Sequence, residues 1–157
     1  KDNPEWNFAT FLTNHDQNRV MSTLGGNVDK AKVAAALMLT SPGTPFIYYG
    51  EEIGMEGVKP DEYIRRPMQW DDSANAGFTT VEPWEELGTN IVVANVKTQS
   101  TDDTSLLNWY RQLIQYRKDY PVLSTGGYTF IKCSDRGIYA ALRESEEHHL
   151  LVVEEAQ

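Results

Sequence analysis

The sequence predicts an α/β chain: a strand–helix–strand unit, a long excursion with a second helix, and an antiparallel β module at the C-terminal end. Three observations carry this. Two apolar runs, residues 8–13 and 46–49, flank a stretch with helical apolar spacing. A second helical stripe lies over residues 105–120. After Gly126-Gly127 the apolar period changes to two.

The elements follow in order. Lys1-Asp2-Asn3-Pro4 is a turn-like lead-in. Phe8, Phe11 and Leu12 make a β-favouring run that empties into a polar cluster, Asn14-His15-Asp16-Gln17-Asn18-Arg19. Ligands of α/β folds sit at the carboxyl ends of strands, so this cluster marks the functional face. Gly25-Gly26-Asn27 is a turn, and Asn27 is positioned to cap a helix from Val28 to about Thr40. Ala31, Ala34, Ala35, Leu37, Met38 and Leu39 cover most of its circumference, which predicts burial against a sheet. Ser41-Pro42-Gly43-Thr44-Pro45 stops it, because proline cannot continue a helix. Phe46-Ile47-Tyr48-Tyr49 reads as the second strand, parallel to the first through a right-handed crossover. It ends at Gly50-Glu51-Glu52. Neighbours on a strand point to opposite faces, so at most one of Glu51 and Glu52 faces the site; bracing of the loops is the expected role of both.

Residues 51–103 lack clear periodicity and are too long for an ordinary connection. Tyr63, Trp70, Phe78 and Trp84, with Arg65-Arg66, point to an ordered, ligand-facing excursion; a loop packing its own aromatics as a small core is the alternative. Asp103 or Thr104 caps the next helix, from about Ser105 to Tyr120. Leu106, Tyr110, Leu113, Ile114 and Arg117 form its stripe, Arg117 and Lys118 suit its negative end, and Pro121 stops it. Tyr128, Phe130 and Ile131, then Ile138, Tyr139, Ala141 and Leu142, alternate as two strands around Asp135-Arg136-Gly137, with Leu150–Val153 as a third. The boundary between the α/β part and this module falls near residue 124.

Composition limits the function. With 14 Lys and Arg against 23 Asp and Glu, the net charge is −9, which argues against a nucleic-acid footprint. One cysteine, Cys133, excludes an internal disulfide framework and a thiolate metal site, and reads as a core or strand residue. No stretch reaches the roughly 18 apolar residues of a membrane helix, and no signal peptide is visible. The chain begins without Met and stops inside an apparent strand, as expected of a fragment. The compartment stays open, and a secreted or cell-surface parent is compatible with it.

Phe11-Leu12-Thr13-Asn14-His15-Asp16 resembles the strand-seven motif of the α-amylase family of glycoside hydrolases. Pro42 through Met55 is similar to the family's strand-eight segment, and Arg66-Pro67-Met68-Gln69-Trp70 to the following loop of its oligosaccharide-cleaving members. The three occur in the family's order and together reach along most of the chain. The resemblance implies a partial (β/α)₈ barrel: residues 1–124 supply the last two β/α units, and 125–157 begin an antiparallel C-terminal domain. A whole barrel takes about 250 residues.

The resemblance also implies the chemistry. Retaining glycosidases use two carboxyl groups about 5–5.5 Å apart, one as nucleophile and one as acid/base. In this family they lie on strands four and five, outside this chain. Asp16 matches the third carboxylate, which bonds sugar hydroxyls more strongly as the ring distorts toward the oxocarbenium ion. His15 matches a ligand of the same sugar. Asn14 and Arg19 are weaker candidates: Asn14 to orient the loop, Arg19 to pair with a site carboxylate or to stand exposed. Arg65, Tyr63 and Trp70 are candidate sugar contacts, since aromatic faces stack on pyranose rings and guanidinium donates in a fork. The expected partner is an α-glucan or oligosaccharide. Trehalose-forming or glucan-transferring transglycosylases and a non-catalytic binding homologue are the alternatives. The expected fragment is inactive by itself and self-associates through its uncovered strand edges.

No cofactor is expected in this chain. His15-Asp16 resembles the His-Asp pair of metal phosphohydrolases, but that site needs further ligands, and His148 and His149 lie in the tail. Calcium is known in the wider family. Asp71-Asp72-Ser73-Ala74-Asn75 offers oxygen ligands, although such a stretch is more often just a polar turn.

Overall fold

A computed structural model describes residues 8–155, so the Lys1–Pro4 lead-in lies outside the described residues. Strand β1 is Ala9–Phe11, followed by the short helix α1, Val20–Thr23, and the helix α2, Val28–Thr40. Strand β2, Thr44–Phe46, then runs parallel to β1, with Phe11 opposite Phe46. The excursion contains helices α3, Asp61–Ile64, and α4, Val96–Ser100. Helices α5, Leu106–Asp119, and α6, Val122–Thr125, lead to strands β3, Gly127–Ile131, β4, Ile138–Glu144, and β5, His149–Glu155. The last three form an antiparallel sheet in that order.

Both parallel strands are shorter than their apolar runs. The second is also displaced: β2 ends at Phe46, and Ile47–Tyr49 leave the ladder. The cause lies just beyond. Gly50 takes a left-handed conformation, φ +79°, so the Glu51 N–H turns back onto the Tyr48 carbonyl at 3.0 Å and a single 3₁₀ turn, Glu51–Ile53, follows. Glu51 and Glu52 therefore sit on a turn and not at a strand end.

Asn27 caps α2, its side chain accepting from the Lys30 N–H. The buried face of α2 meets α5 more than a sheet. Ala31, Ala35, Ala36, Met38 and Leu39 pack with Met21, Leu106, Tyr110 and Leu113, with Leu12 partly buried at the margin. Three small alanines on this face of α2 let the two helices approach closely. The cap of α5 is Ser105, not Asp103 or Thr104: its hydroxyl accepts from the Asn108 N–H. Asp102 instead accepts from the Thr104 N–H and hydroxyl, so those residues are used in the preceding turn.

The excursion is ordered but does not bury its aromatics. Ile53, Met55 and Met68 make a second cluster against Leu107 of α5, while Trp70, Phe78 and Trp84 stay exposed. Buried Gln69 and Asn95 tie the loop to itself: the Gln69 amide donates to the Ala94 carbonyl, and the Asn95 amide to Ile91 at 2.7 Å. Cys133 lies in the connection after β3, half-buried, rather than in a strand or core.

Two arginines join the parts. Arg117 sits with Lys118 in the last turn of α5, where the sequence places them. Its guanidinium also serves the end of α2, donating to the carbonyls of Leu39 and Ser41 at 2.7 and 3.0 Å, and to that of Gly43. Arg143 of β4 is fully buried and donates to the carbonyls of Leu123, Gly126 and Gly127 at 2.8–3.0 Å, and to that of Thr40. It connects the antiparallel sheet to α6 and to the end of α2.

Candidate active site

The chain leaving β1 makes a tight polar tip. The Asn14 side-chain oxygen accepts from the Asp16 N–H at 2.9 Å, and the Asn14 carbonyl accepts from the Gln17 N–H. This Asx turn throws His15 and Asp16 outward, with side chains 66% and 63% exposed. Their reactive atoms stay together: His15 Nε2 lies 3.4 Å from Asp16 Oδ2.

Arg65 locks the tip from the excursion. Its Nε donates to the His15 carbonyl at 2.9 Å and one terminal nitrogen to Asp16 Oδ1 at 3.0 Å. The same nitrogen donates to Asp61 Oδ2 at 2.7 Å, one helical turn earlier. Asp16 keeps Oδ2 free of the arginine, so the carboxylate is oriented while one oxygen remains open to a ligand.

A second clamp works from beneath. Thr13, buried beside the tip, donates its hydroxyl to Glu51 Oε2 at 3.1 Å, and the Tyr110 hydroxyl of α5 donates to Oε1 at 2.9 Å. Burial pushes the Glu51 carboxyl up to about 7, against the pull of these two hydrogen bonds.

Arg19 is not exposed, and it makes no ion pair among the described residues. It is buried, with its guanidinium 4.8 Å from the ring centres of both Tyr48 and Tyr49, and it donates to the Tyr49 carbonyl at 2.7 Å. Desolvation lowers its pKa. The displaced end of β2 is what places both tyrosines around it. Gly57 closes the other side: its carbonyl accepts the Arg19 N–H at 2.9 Å, and a Cβ there would stand 2.4 Å from the Tyr63 carbonyl oxygen.

Ala9, Phe11, Thr13, Asn14, His15, Phe46, Ile47 and Tyr48 border a hollow of about 340 Å³. Asn14, His15, Asp16 and Arg65 thus form one group at the carboxyl ends of two parallel strands. Tyr63 does not join them; Arg66 lies over its ring at 4.6 Å. Trp70 lines a separate cleft together with Arg65.

This arrangement has known counterparts. The family model "Alpha amylase, catalytic domain" matches residues 2–126. The chain belongs to the α-amylase family of glycoside hydrolases. Alpha-amylase 3 of Dictyoglomus thermophilum is 43% identical over 155 residues, 98% of this chain and 31% of that protein. The crystal structure of an α-amylase from H. orenii superposes with a TM-score of 0.88 at 42% identity, over 96% of this chain and 30% of that one. Trehalulose synthase MutB from Pseudomonas mesoacidophila MX-45 superposes with a TM-score of 0.85 at 32% identity, over 95% and 34%. The chain spans about a third of the length of these relatives. The two parallel strands and their helices are accordingly part of the α-amylase (β/α)₈ barrel, followed by an antiparallel sheet.

Sequence reasoning about this α-amylase segment missed Asp61 and the Thr13–Glu51–Tyr110 bridge. Asp61 and Arg65 stand at i, i+4, a signal that was readable. The bridge joins residues 38 and 59 positions apart and left no local trace. For metals, no group of three or more His, Cys, Asp or Glu side chains is gathered among the described residues. Asp71 accepts from the Ser73 N–H and hydroxyl, an Asx turn of the loop. No described helix is long and apolar enough to cross a membrane.

Proposed function

We propose that this chain is the part of a retaining α-glucan hydrolase that holds the reacting sugar and stabilises its distorted form. The observation that carries the reading is the exposed Asp16–His15 pair, oriented by Arg65 at the strand tips. Asp16 accepts hydroxyl hydrogens of the ring, and its negative charge gains value as positive charge develops at the anomeric carbon. His15 donates a ring N–H to a hydroxyl of the same sugar. Asn14 keeps the loop in shape, and Arg65 keeps both groups aimed. Arg19 is a buried support and touches no sugar. The nucleophile and acid/base belong to parts of the protein outside these 157 residues, so the chain by itself is expected to cleave nothing.

The α-amylase likeness at 42–43% identity favours α-glucan or maltooligosaccharide substrates and water as acceptor. The likeness to a trehalulose synthase favours a second reading, transfer to a sugar acceptor. Incubating the full-length protein with maltopentaose and following the products by proton NMR separates them. Shorter maltooligosaccharides released first as the α-anomer are expected. Inverted β-products reject the retaining mechanism, and products built by sugar transfer favour the second reading.

The hollow beside the tip is walled by apolar groups, and Phe8, Phe11 and Phe46 are each about half exposed or more. In the whole barrel neighbouring strands cover this face. The 157-residue chain alone is therefore expected to self-associate through it. Sedimentation at increasing concentration reads this; a monomer throughout contradicts it.

A further inference from the structure

Charges of alternating sign run from the excursion to the tip. Lys59 Nζ lies 2.8 Å from Asp61 Oδ1, and the other Asp61 oxygen takes a terminal nitrogen of Arg65 at 2.7 Å. That same nitrogen bonds Asp16 Oδ1 at 3.0 Å. We propose that Asp61 is a positioning residue: it holds the Arg65 guanidinium on one oxygen of Asp16 and so keeps the other oxygen open to the sugar. The inference rests on the function proposed above and names the residue that tunes its anion.

The geometry divides one cation between two anions. A guanidinium that faces a single carboxylate closes on both oxygens as a fork. Arg65 does not. It uses Nε on the His15 carbonyl at 2.9 Å and shares one terminal nitrogen between the two carboxylates, with the shorter bond to Asp61. Asp16 Oδ2 is left beside His15 Nε2, 3.4 Å away.

Asp61 can compete for the arginine because it is charged and fixed in place. A hydrogen bond from the Lys59 ammonium holds its carboxyl below the usual carboxylate range. It begins α3, one helical turn before Arg65. The segment leading into it is tied to the chain that leaves the tip. The Lys59 N–H donates to Asn18 Oδ1 at 2.8 Å, the Gly57 N–H to the Ser22 hydroxyl at 2.9 Å, and the Arg19 N–H to the Gly57 carbonyl at 2.9 Å. The side chains of Lys59, Asp61, Arg65 and Asp16 are 38–63% exposed. Ion pairs this open add little to folding. Removing Asp61 therefore leaves the fold standing and changes where the Arg65 charge sits.

The test uses the full-length protein and Asp61→Ala, with an unchanged melting curve as the check on folding. The crystal structure of the variant is expected to show the Arg65 guanidinium bonded to both oxygens of Asp16. A guanidinium still on Oδ1 alone overturns the proposal, whatever the activity. In steady-state kinetics on maltopentaose, kcat is expected to fall about tenfold while KM stays within about twofold, because an occupied and neutralised carboxylate loses more of the transition state than of the ground state. Asp61→Asn keeps an acceptor for the arginine and is expected to recover most of kcat. In an Arg65→Ala background, removing Asp61 is expected to cost nothing further. A full additional loss there overturns the proposal, since Asp61 would then act on the loop and not through the arginine. Absence of turnover by the unmodified protein rejects the retaining-hydrolase reading separately, because the crystal structure of the variant still decides what Asp61 does to Arg65.

Discussion

Asp16→Asn in the full-length protein is expected to lower kcat by on the order of 10³-fold, about 4 kcal/mol of barrier, with the fold intact. The amide has nearly the shape of the carboxylate but carries no charge and only one acceptor oxygen. The ground-state sugar loses little by this, since neutral hydroxyl contacts are worth modest amounts in water. The transition state loses more, because the developing oxocarbenium charge faces the position where the anion stood. Substrate affinity should therefore change far less than turnover. The melting temperature should hardly move, because Asp16 is exposed and its ion pair with Arg65 is a surface contact. Steady-state kinetics on maltopentaose, with thermal melts alongside, decide the matter. Turnover within a few-fold of the unmodified enzyme removes Asp16 from the transition state.

The second large effect is on stability against pH, and it resides in Glu51. This carboxyl is nearly fully buried and titrates at about 7 in the folded chain, against an ordinary value of 4.5. Desolvation is the main cause. The hydrogen bonds from Tyr110 and Thr13 oppose it, Glu52 adds to it, and Arg19 weakly opposes it. A folded-state pKa above the unfolded one means that the native state holds the proton more tightly. Its contribution is then fully present below pH 4.5 and is lost as pH rises toward 7. The difference, 7 − 4.5, corresponds to on the order of 3 kcal/mol. Glu51→Gln keeps the bridge to Tyr110 and Thr13 but has no proton to lose. Urea denaturation at pH 5 and pH 8 should show the unmodified protein losing about 2.5 kcal/mol more than the variant over that interval. Glu52 and Glu154 are raised as well and leave some slope in the variant. Asp61, Asp71 and Asp102 are lowered but lie at the surface, with slopes of opposite sign. Parallel stability curves for the two proteins would show that Glu51 is already ionised in the native state.

On the proposed function the bridge also bears on the geometry of the site, since Thr13 is the residue before Asn14. Glu51 holds the base of the tip against α5, while Arg65 holds its outer end. Two clamps on one loop explain how exposed groups keep a defined geometry without being buried themselves.

Much of the molecule could be read along the chain. The helix after Asn27, its cap and its proline stop follow from spacing and side-chain chemistry within a few residues, as does the presence of strand β4, although its burial does not alternate: Ala140 and Ala141 are both buried. The polar cluster at Asn14–Asp16 stood out because so many hydrogen-bonding groups follow directly on an apolar run, and the family motif there includes Asp16 and His15. Tertiary structure decided the rest. An apolar run at 46–49 looks like strand, yet Tyr48 and Tyr49 leave the sheet to enclose Arg19, a residue thirty positions earlier. Arg117 stands at its own helix end as its position along the chain implies, and it also holds the end of another helix. Arg143, a charged residue of β4, is wholly buried among carbonyls. Local spacing dictates local structure because neighbouring residues must share one backbone geometry. Which charge is buried, and which aromatic is left open, depends on the residues that distant parts of the chain bring into the same volume.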